Sequence, residues 1–316
     1  MEGKKTILAL APLAGYSDRA FREISHIHGA DLAVTEMVSA EGLARDSEKT
    51  EDLLVRYDGE EELIMQLFAP DCDPVRRCLS RLLTYKPSGI DINCGCPVPK
   101  VVKNGAGSAL MKTPEKMYEI VSFLKAETDI PISVKFRLGW DSSSINFIEF
   151  ADAAVSAGAS MITLHARTRS QGYTGKADHT MTGMLTDHLK GTGVKVFGSG
   201  DVFTPEDALR MVNECGTDGV MFARGAIGNP FIFEETKSLL EKGSYEPISL
   251  DERISTLMAH LDLMIKYFGE IQACREMRKH ATSYLKGVRN GNRVKEKIVS
   301  ALTRDEYGRA LEALYP

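Results

Sequence analysis

Eight short apolar runs, separated by stretches with helical spacing, fill this chain from its N-terminus to about residue 240. They are Ile7 to Ala11, Asp31 to Thr35, Leu63 to Phe68, Gly89 to Ile92, Ile132 to Phe136, Met161 to Leu164, Lys195 to Phe197 and Gly219 to Phe222. Such alternation is how βαβ units and a parallel sheet read in sequence, and eight strands are what a closed parallel barrel needs. The expected fold is therefore α/β, a (β/α)8 TIM barrel over residues 1–243, followed by a small all-helical domain over 248–316.

The helices between the runs carry start signals. Ser17 is a candidate N-cap for Ser17 to His28, Pro74 to Thr84 has helical apolar spacing, and Thr-Pro pairs at 113–114 and 204–205 supply a cap and an N1 proline. Past residue 240 the strand grammar stops. Glu241 to Pro247 (EKGSYEP) reads as a linker, with helical patterns after it that Gly287 to Gly291 (GVRNG) would interrupt.

Composition narrows the function classes. With 316 residues, 43% hydrophobic and 26% charged, the chain is an ordinary globular protein without a membrane-length apolar run. Pro12 and Gly15 break the N-terminal apolar stretch, which argues against a signal peptide and makes the cytoplasm the expected location. Six cysteines without a CxxC pair indicate neither a disulfide framework nor a metal site. The net charge of −5 conceals an asymmetry: Gln272 to Arg304 holds nine Lys/Arg against two acidic residues. Arg275, Arg278, Lys279 and Lys286, spaced to share much of one helix side, are candidates for phosphate contact; an ordinary solvated face is the plainer reading.

In a barrel the chemistry gathers at the C-terminal strand ends. The polar residues there are Pro12 to Gly15, Glu36, Gln66, Asn93 with Cys96, Lys135 with Arg137, His165 with Arg167, Gly198 to Asp201, and Ala223 to Gly225. Burying each such group alone costs a few kcal/mol, so a shared polar ligand is the economical explanation. The glycines of FGSGD and FARGAIG, with Arg224, suit the phosphate corner of a barrel, although glycines after strands also serve as plain turns. From residue type alone Lys135 fits a Schiff-base nucleophile, a flavin partner or a satisfied buried charge; His165 and Gln66 fit either core groups or ligand contacts.

The segments APLAGYSDRAFR (11–22), TEM (35–37), QLF (66–68), DINCGCPVPKVVKNGAGSALM (91–111), VKFRLGW (134–140), LHARTRSQGYTG (164–175), GSGD (198–201), ARGAIGNP (223–230) and REMRKH (275–280) occur in that order. Together they resemble the tRNA-dihydrouridine synthases, FMN-dependent enzymes, and most nearly the bacterial B-type branch. The resemblance implies that Pro12, Leu13 and Ala14 border the flavin, and that Gln66, Lys135 and His165 bind it with Asn93 in the same pocket. Ser199, Gly200, Asp201, Ala223 and Arg224 would hold its phosphate end. It also implies that Cys96 is the proton donor to uracil C5, that Arg167 and Arg169 border the RNA entrance, that NADPH is a transient reductant, and that tRNA is the substrate of a monomeric enzyme. Cys94 falls at a variable position and is expected to be passive. Ser199 replaces the asparagine that relatives commonly carry, which leaves the hydrogen-bond count at that corner open. Rival readings are a flavin enzyme on a free pyrimidine, for which the basic C-terminal segment has no use, and a non-catalytic RNA-binding flavoprotein.

Overall fold

The computed structural model describes residues 5–315; residues 1–4 and 316, the outer ends of the two expected domains, lie outside the described residues. Eight parallel strands make one ring: β1 Ile7–Leu10, β2 Leu32–Val34, β3 Leu63–Phe68, β4 Gly89–Cys94, β5 Ile132–Arg137, β6 Met161–His165, β7 Lys195–Ser199 and β8 Gly219–Phe222. Each pairs with the next in sequence, and β8 closes on β1 from Ile7↔Gly219 to Leu10↔Phe222. The alternating runs thus form a TIM barrel. Val38–Ser39 add a short rung against the end of β3.

The period-two alternation of a strand sorts side chains to two faces. Outward residues such as Leu63, Met65, Ile90, Ile92, Cys94, Val134, Phe136 and Leu164 pack beneath the surrounding helices. Ala9, Val34, Ile64, Met161, Phe197 and Met221 form a separate apolar cluster. Strands β4 to β7 continue one or two residues beyond the apolar runs, so Asn93, Arg137, His165 and Ser199 belong to the ladder. A run read by hydrophobicity stops at its first polar side chain, whereas backbone pairing is indifferent to what the side chain carries.

Two expected caps differ. Asp18, not Ser17, caps helix Arg19–Ile27, accepting from the Phe21 amide; Ser17 instead accepts from the Leu13 amide at 2.8 Å and closes the loop after β1. Thr113 makes no side-chain cap, while Thr204 forms a full capping box with Asp207. Arg22 and Glu60 then brace the β1 loop from behind. Arg22 donates twice to the Glu60 carboxylate, at 2.7 and 3.0 Å, and also to the carbonyls of Ser17 and Val55. Both side chains are essentially unexposed. Removing one partner of such a pair strands a buried charge, so Glu60→Ala is expected to cost about 3–5 kcal/mol of stability. Denaturant unfolding reads this out, and a loss below about 1 kcal/mol would mean the pair is dispensable.

The last barrel helix, Ile232–Lys242, ends on Gly243 in left-handed conformation (φ 75°), so the expected linker begins inside a helix. Helices Leu250–Phe268, Glu270–Tyr284, Gly291–Ser300 and Arg304–Leu311 follow, the first opened by a Ser249–Glu252 capping box. Their apolar core includes Leu257, Leu261, Met264, Met277, Tyr284 and Tyr307, and it takes in Ala20 and Phe231 from the barrel's own helices. The C-terminal helices therefore sit against the loop and helix after β1 and the segment after β8. At this seam His280 is fully buried, 4.9 Å from Phe21 and 5.4 Å from Tyr16 between ring centroids.

Among the described residues no helix is long and apolar enough to cross a membrane, and no cluster of potential metal ligands occurs. All six cysteines are free.

Candidate active site

A chain of hydrogen bonds inside the barrel ends at Cys96. Ser133 donates to Asp91 at 2.5 Å, and Gln66 Nε2 donates to the other Asp91 oxygen at 2.7 Å. Gln66 Oε1 accepts from Asn93 Nδ2 at 2.7 Å, and Asn93 Oδ1 accepts from the Cys96 amide at 2.9 Å. Asp91 can only accept when ionised, so it orients the Gln66 amide, which in turn orients Asn93. Neither Asp91 nor Ser133 was singled out from sequence. The signal for Asp91 was its place two residues before Asn93, which puts both on the inner face of β4.

Cys96 follows β4 in a tight turn backed by Gly107, whose chain neighbour Ser108 donates its amide to the Cys96 carbonyl at 3.0 Å. A Cβ at Gly107 would lie 2.8 Å from that carbonyl oxygen and 3.2 Å from the Cys96 Cβ, and φ there is +61°. Gly107→Ala is expected to shift the thiol and, on the role proposed for Cys96 below, to lower turnover about tenfold or more. Unchanged turnover would mean that the loop absorbs the methyl. Burial raises the Cys96 pKa above its ordinary value, outweighing the backbone at Val98 and the cations Arg137 and Lys135. The thiol is thus protonated at neutral pH. Cys94 points outward and is fully buried.

A cavity of about 420 Å³ opens at the C-terminal end of the barrel. Pro12, Leu13, Ala14, Gln66, Asn93, Cys96, Lys135, His165 and Arg224 all border it. Among the described residues nothing hydrogen-bonds or ion-pairs with the Lys135 ammonium. Burial and then the Arg137 charge lower its pKa to about 8. Burial, followed by Lys135, Arg137, Arg167 and Arg224, holds His165 well below the usual histidine range, so its ring is neutral. With Arg167 Nη1 at 3.4 Å from His165 Nε2, the neutral tautomer that accepts there carries its proton on Nδ1. Arg137 is anchored to the carbonyls of Gly95, Thr168 and Gly172, tying the cysteine turn to the loop after β6.

A smaller recess of about 70 Å³ continues from this cavity and is bordered by Ser199, Gly200, Asp201, Ala223 and Arg224. Gly200 has φ +106°, and a Cβ there would come within 2.7 Å of the His165 ring. The Ser199 hydroxyl donates to the Met221 carbonyl at 3.2 Å. Asp201 accepts from Arg167 at 2.5 Å, from the Ala177 amide at 2.9 Å and from Arg224 at 3.1 Å. Both side chains are thus engaged within the protein, and Asp201 is shared between Arg167 and Arg224.

The profile of the family described as Dihydrouridine synthase (Dus) matches residues 9–315. The chain belongs to the dihydrouridine synthase family. It is 39% identical to a probable tRNA-dihydrouridine synthase of Treponema pallidum (strain Nichols), over 97% of this chain and 92% of the relative. It is 35% identical to a probable tRNA-dihydrouridine synthase of Aquifex aeolicus (strain VF5), over 99% and 97%. The match to tRNA-dihydrouridine synthase B of Pasteurella multocida (strain Pm70) is 32%, over 90% and 85%. As a dihydrouridine synthase the chain is an enzyme.

Residues expected at the RNA entrance are more dispersed than those of the cavity. Arg167 is corrected: it is only 1% exposed, its guanidinium spent on Asp201 and the carbonyls of Thr174 and Gly175, so it shapes the site from behind. Arg169 is half-buried and borders neither recess, its guanidinium 4.4 Å from the Trp140 ring centroid. Lys286 lies beyond the end of helix Glu270–Tyr284, so the expected single basic helix side is broken by the turn there. Arg278 donates to the Ala301 carbonyl at 3.1 Å and holds neighbouring helices together. Lys279 pairs with Glu276 at 2.5 Å and lies 5.4 Å from the Tyr16 ring, at the seam beside the cavity. Arg275 and Lys286 are exposed. Tyr173, flanked by Arg224 at 4.7 Å and Arg137 at 5.8 Å, overhangs both recesses and was not singled out from sequence.

Proposed function

We propose that this dihydrouridine synthase reduces the uracil 5,6 double bond of specific uridines in tRNA, with FMN in the barrel mouth, NADPH as its reductant and Cys96 as proton donor to C5. The observation that carries this reading is a protonated thiol held in the same cavity as a lysine ammonium with no partner among the described residues, a neutral histidine and two oriented amides.

The residues fit a flavin mononucleotide. The free ammonium of Lys135 suits the electron-rich pyrimidine edge of the ring, and Gln66 retains an N–H and a lone pair for the same edge. The loop Pro12 to Ala14 offers backbone contacts. The small recess, with its glycine-lined turn and Arg224, suits the phosphate. When bound, FMN supplies the hydride that reaches uracil C6. Asn93 is fixed through Gln66 and Asp91, and its second N–H, resting only on the Met37 sulfur at 3.9 Å, is weakly held and would turn to a pyrimidine carbonyl. Cys96 gives its proton to C5, and the resulting thiolate is reprotonated from solvent.

A uridine in folded RNA must be turned out of its stack to enter, at a cost of a few kcal/mol. Contacts from Arg275, Lys286 and Lys279 in the C-terminal segment to RNA phosphates offset this. We take residues 248–316 to be the RNA-holding unit and 1–243 the catalytic one. Incubation of purified protein with FMN, NADPH and unmodified tRNA is expected to yield dihydrouridine, detectable by mass spectrometry of the digested RNA. Reduction of orotate with no dihydrouridine in RNA would overturn the proposal in favour of a free-pyrimidine enzyme.

A further inference from the structure

The single tryptophan of the chain, Trp140, stands between two cations: Lys112 Nζ is 3.6 Å and Arg169 Cζ 4.4 Å from its ring centroid. Lys112 is exposed, with no ion-pair partner among the described residues, and Trp140 is half-buried. The nearby Asp141 carboxylate is turned into its own turn, accepting from the Ser143 amide and the hydroxyls of Ser143 and Ser144. On the same side, Lys100 and Lys103 lie exposed on the short helix Pro99–Lys103, directly after the cysteine turn.

Topology fixes where this cluster lies relative to the C-terminal helices. Those helices dock beside β1 and β8, whereas Lys100, Lys103 and Lys112 follow β4, Trp140 follows β5 and Arg169 follows β6. In an eight-membered ring, β5 is diametrically opposite β1 and β4 is opposite β8. The cations and the indole thus lie on the side of the barrel mouth opposite the C-terminal helices.

We propose that Lys100, Lys103, Lys112, Trp140 and Arg169 form a second RNA-contact surface, one that holds the sugar-phosphate backbone across the barrel mouth from the helical segment. This rests on the RNA-substrate reading above. A cation–π contact at an exposed position is weaker than a charge-assisted bond to phosphate, so Lys112 or Arg169 can leave the ring for a phosphate and free an indole face for a base. Extruding a uridine costs free energy, and further phosphate contacts across the mouth would help to offset it.

The test uses the full-length holoenzyme and unmodified tRNA. Lys103→Ala/Lys112→Ala is expected to weaken tRNA binding about tenfold or more at moderate salt. Its log–log salt slope should fall by about one for each phosphate that the variant no longer neutralises. Trp140 fluorescence should change on titrating wild-type protein with tRNA. RNA-independent NADPH oxidation serves as the folding control, and Lys112→Glu gives a second, single-site perturbation. Unchanged affinity and salt slope in both variants would overturn the second surface while wild-type binding left the substrate reading intact. Failure of wild type to bind or reduce tRNA would instead overturn that reading.

Discussion

Replacing Cys96 with alanine is expected to lower dihydrouridine formation by about 100- to 10,000-fold, the contribution of a positioned general acid. Flavin reduction by NADPH should proceed at its normal rate, since the thiol has no part in it. Stopped-flow absorbance measures the first half-reaction and RNA digestion the second, so the two effects separate cleanly. The raised pKa gives a further signature. Wild-type turnover should stay level through neutral pH and decline only as the thiol ionises above its ordinary range. Turnover of RNA by the variant at the wild-type rate would remove Cys96 from the chemistry. Cys94→Ala is the control: its sulfur packs outward beneath the helices, so the change should cost stability without altering the pH profile.

Lys135→Met is expected to abolish most flavin affinity and with it RNA reduction. In the free protein burial and then the Arg137 charge bring the ammonium's pKa from 10.5 to about 8, and nothing among the described residues hydrogen-bonds to it. A ligand that engages the ammonium binds only the protonated fraction. FMN affinity should therefore be level below about pH 8 and fall by up to tenfold per pH unit above it. The same shift acts on stability with the opposite sense. Between the lowered folded value and 10.5 the unfolded chain holds the extra proton, so this group's contribution to the stability of flavin-free protein rises with pH across that window. Calorimetric titration with FMN at about pH 7 and pH 9, alongside unfolding of the flavin-free protein, checks both signs. Equal FMN affinity at the two pH values would detach Lys135 from cofactor binding.

The barrel itself was legible in the chain because its determinants are local. Each apolar run pairs with its neighbours whatever the distant sequence does, and eight in succession leave closure as the way to satisfy the two edges. The inward set of Gln66, Asn93, Lys135 and His165 was legible for the same reason: a period of two and a strand terminus together place a polar side chain at the mouth. The choice of Cys96 over Cys94 came from the family resemblance; the fold separates the two because Cys94 ends β4 on its outward face while Cys96 lies in the turn beyond the strand and borders the cavity.

What only the tertiary structure decided concerns charge and its partners. Arg167 and Arg169 look equivalent in LHARTRS, yet one is buried against Asp201, which arrives from the end of β7, and the other meets Trp140 from the loop after β5. The segment REMRKH reads as a basic helix face. Packing turns Arg278 toward Ala301, His280 onto Phe21 and Lys279 toward Tyr16, making most of it a seam between the helices and the barrel. Asp91 and Ser133, 42 positions apart, meet only when β4 pairs with β5. A side chain's periodicity is written within a few residues of itself, but whether its charge is neutralised depends on groups brought close by folding, and these lie anywhere along the chain.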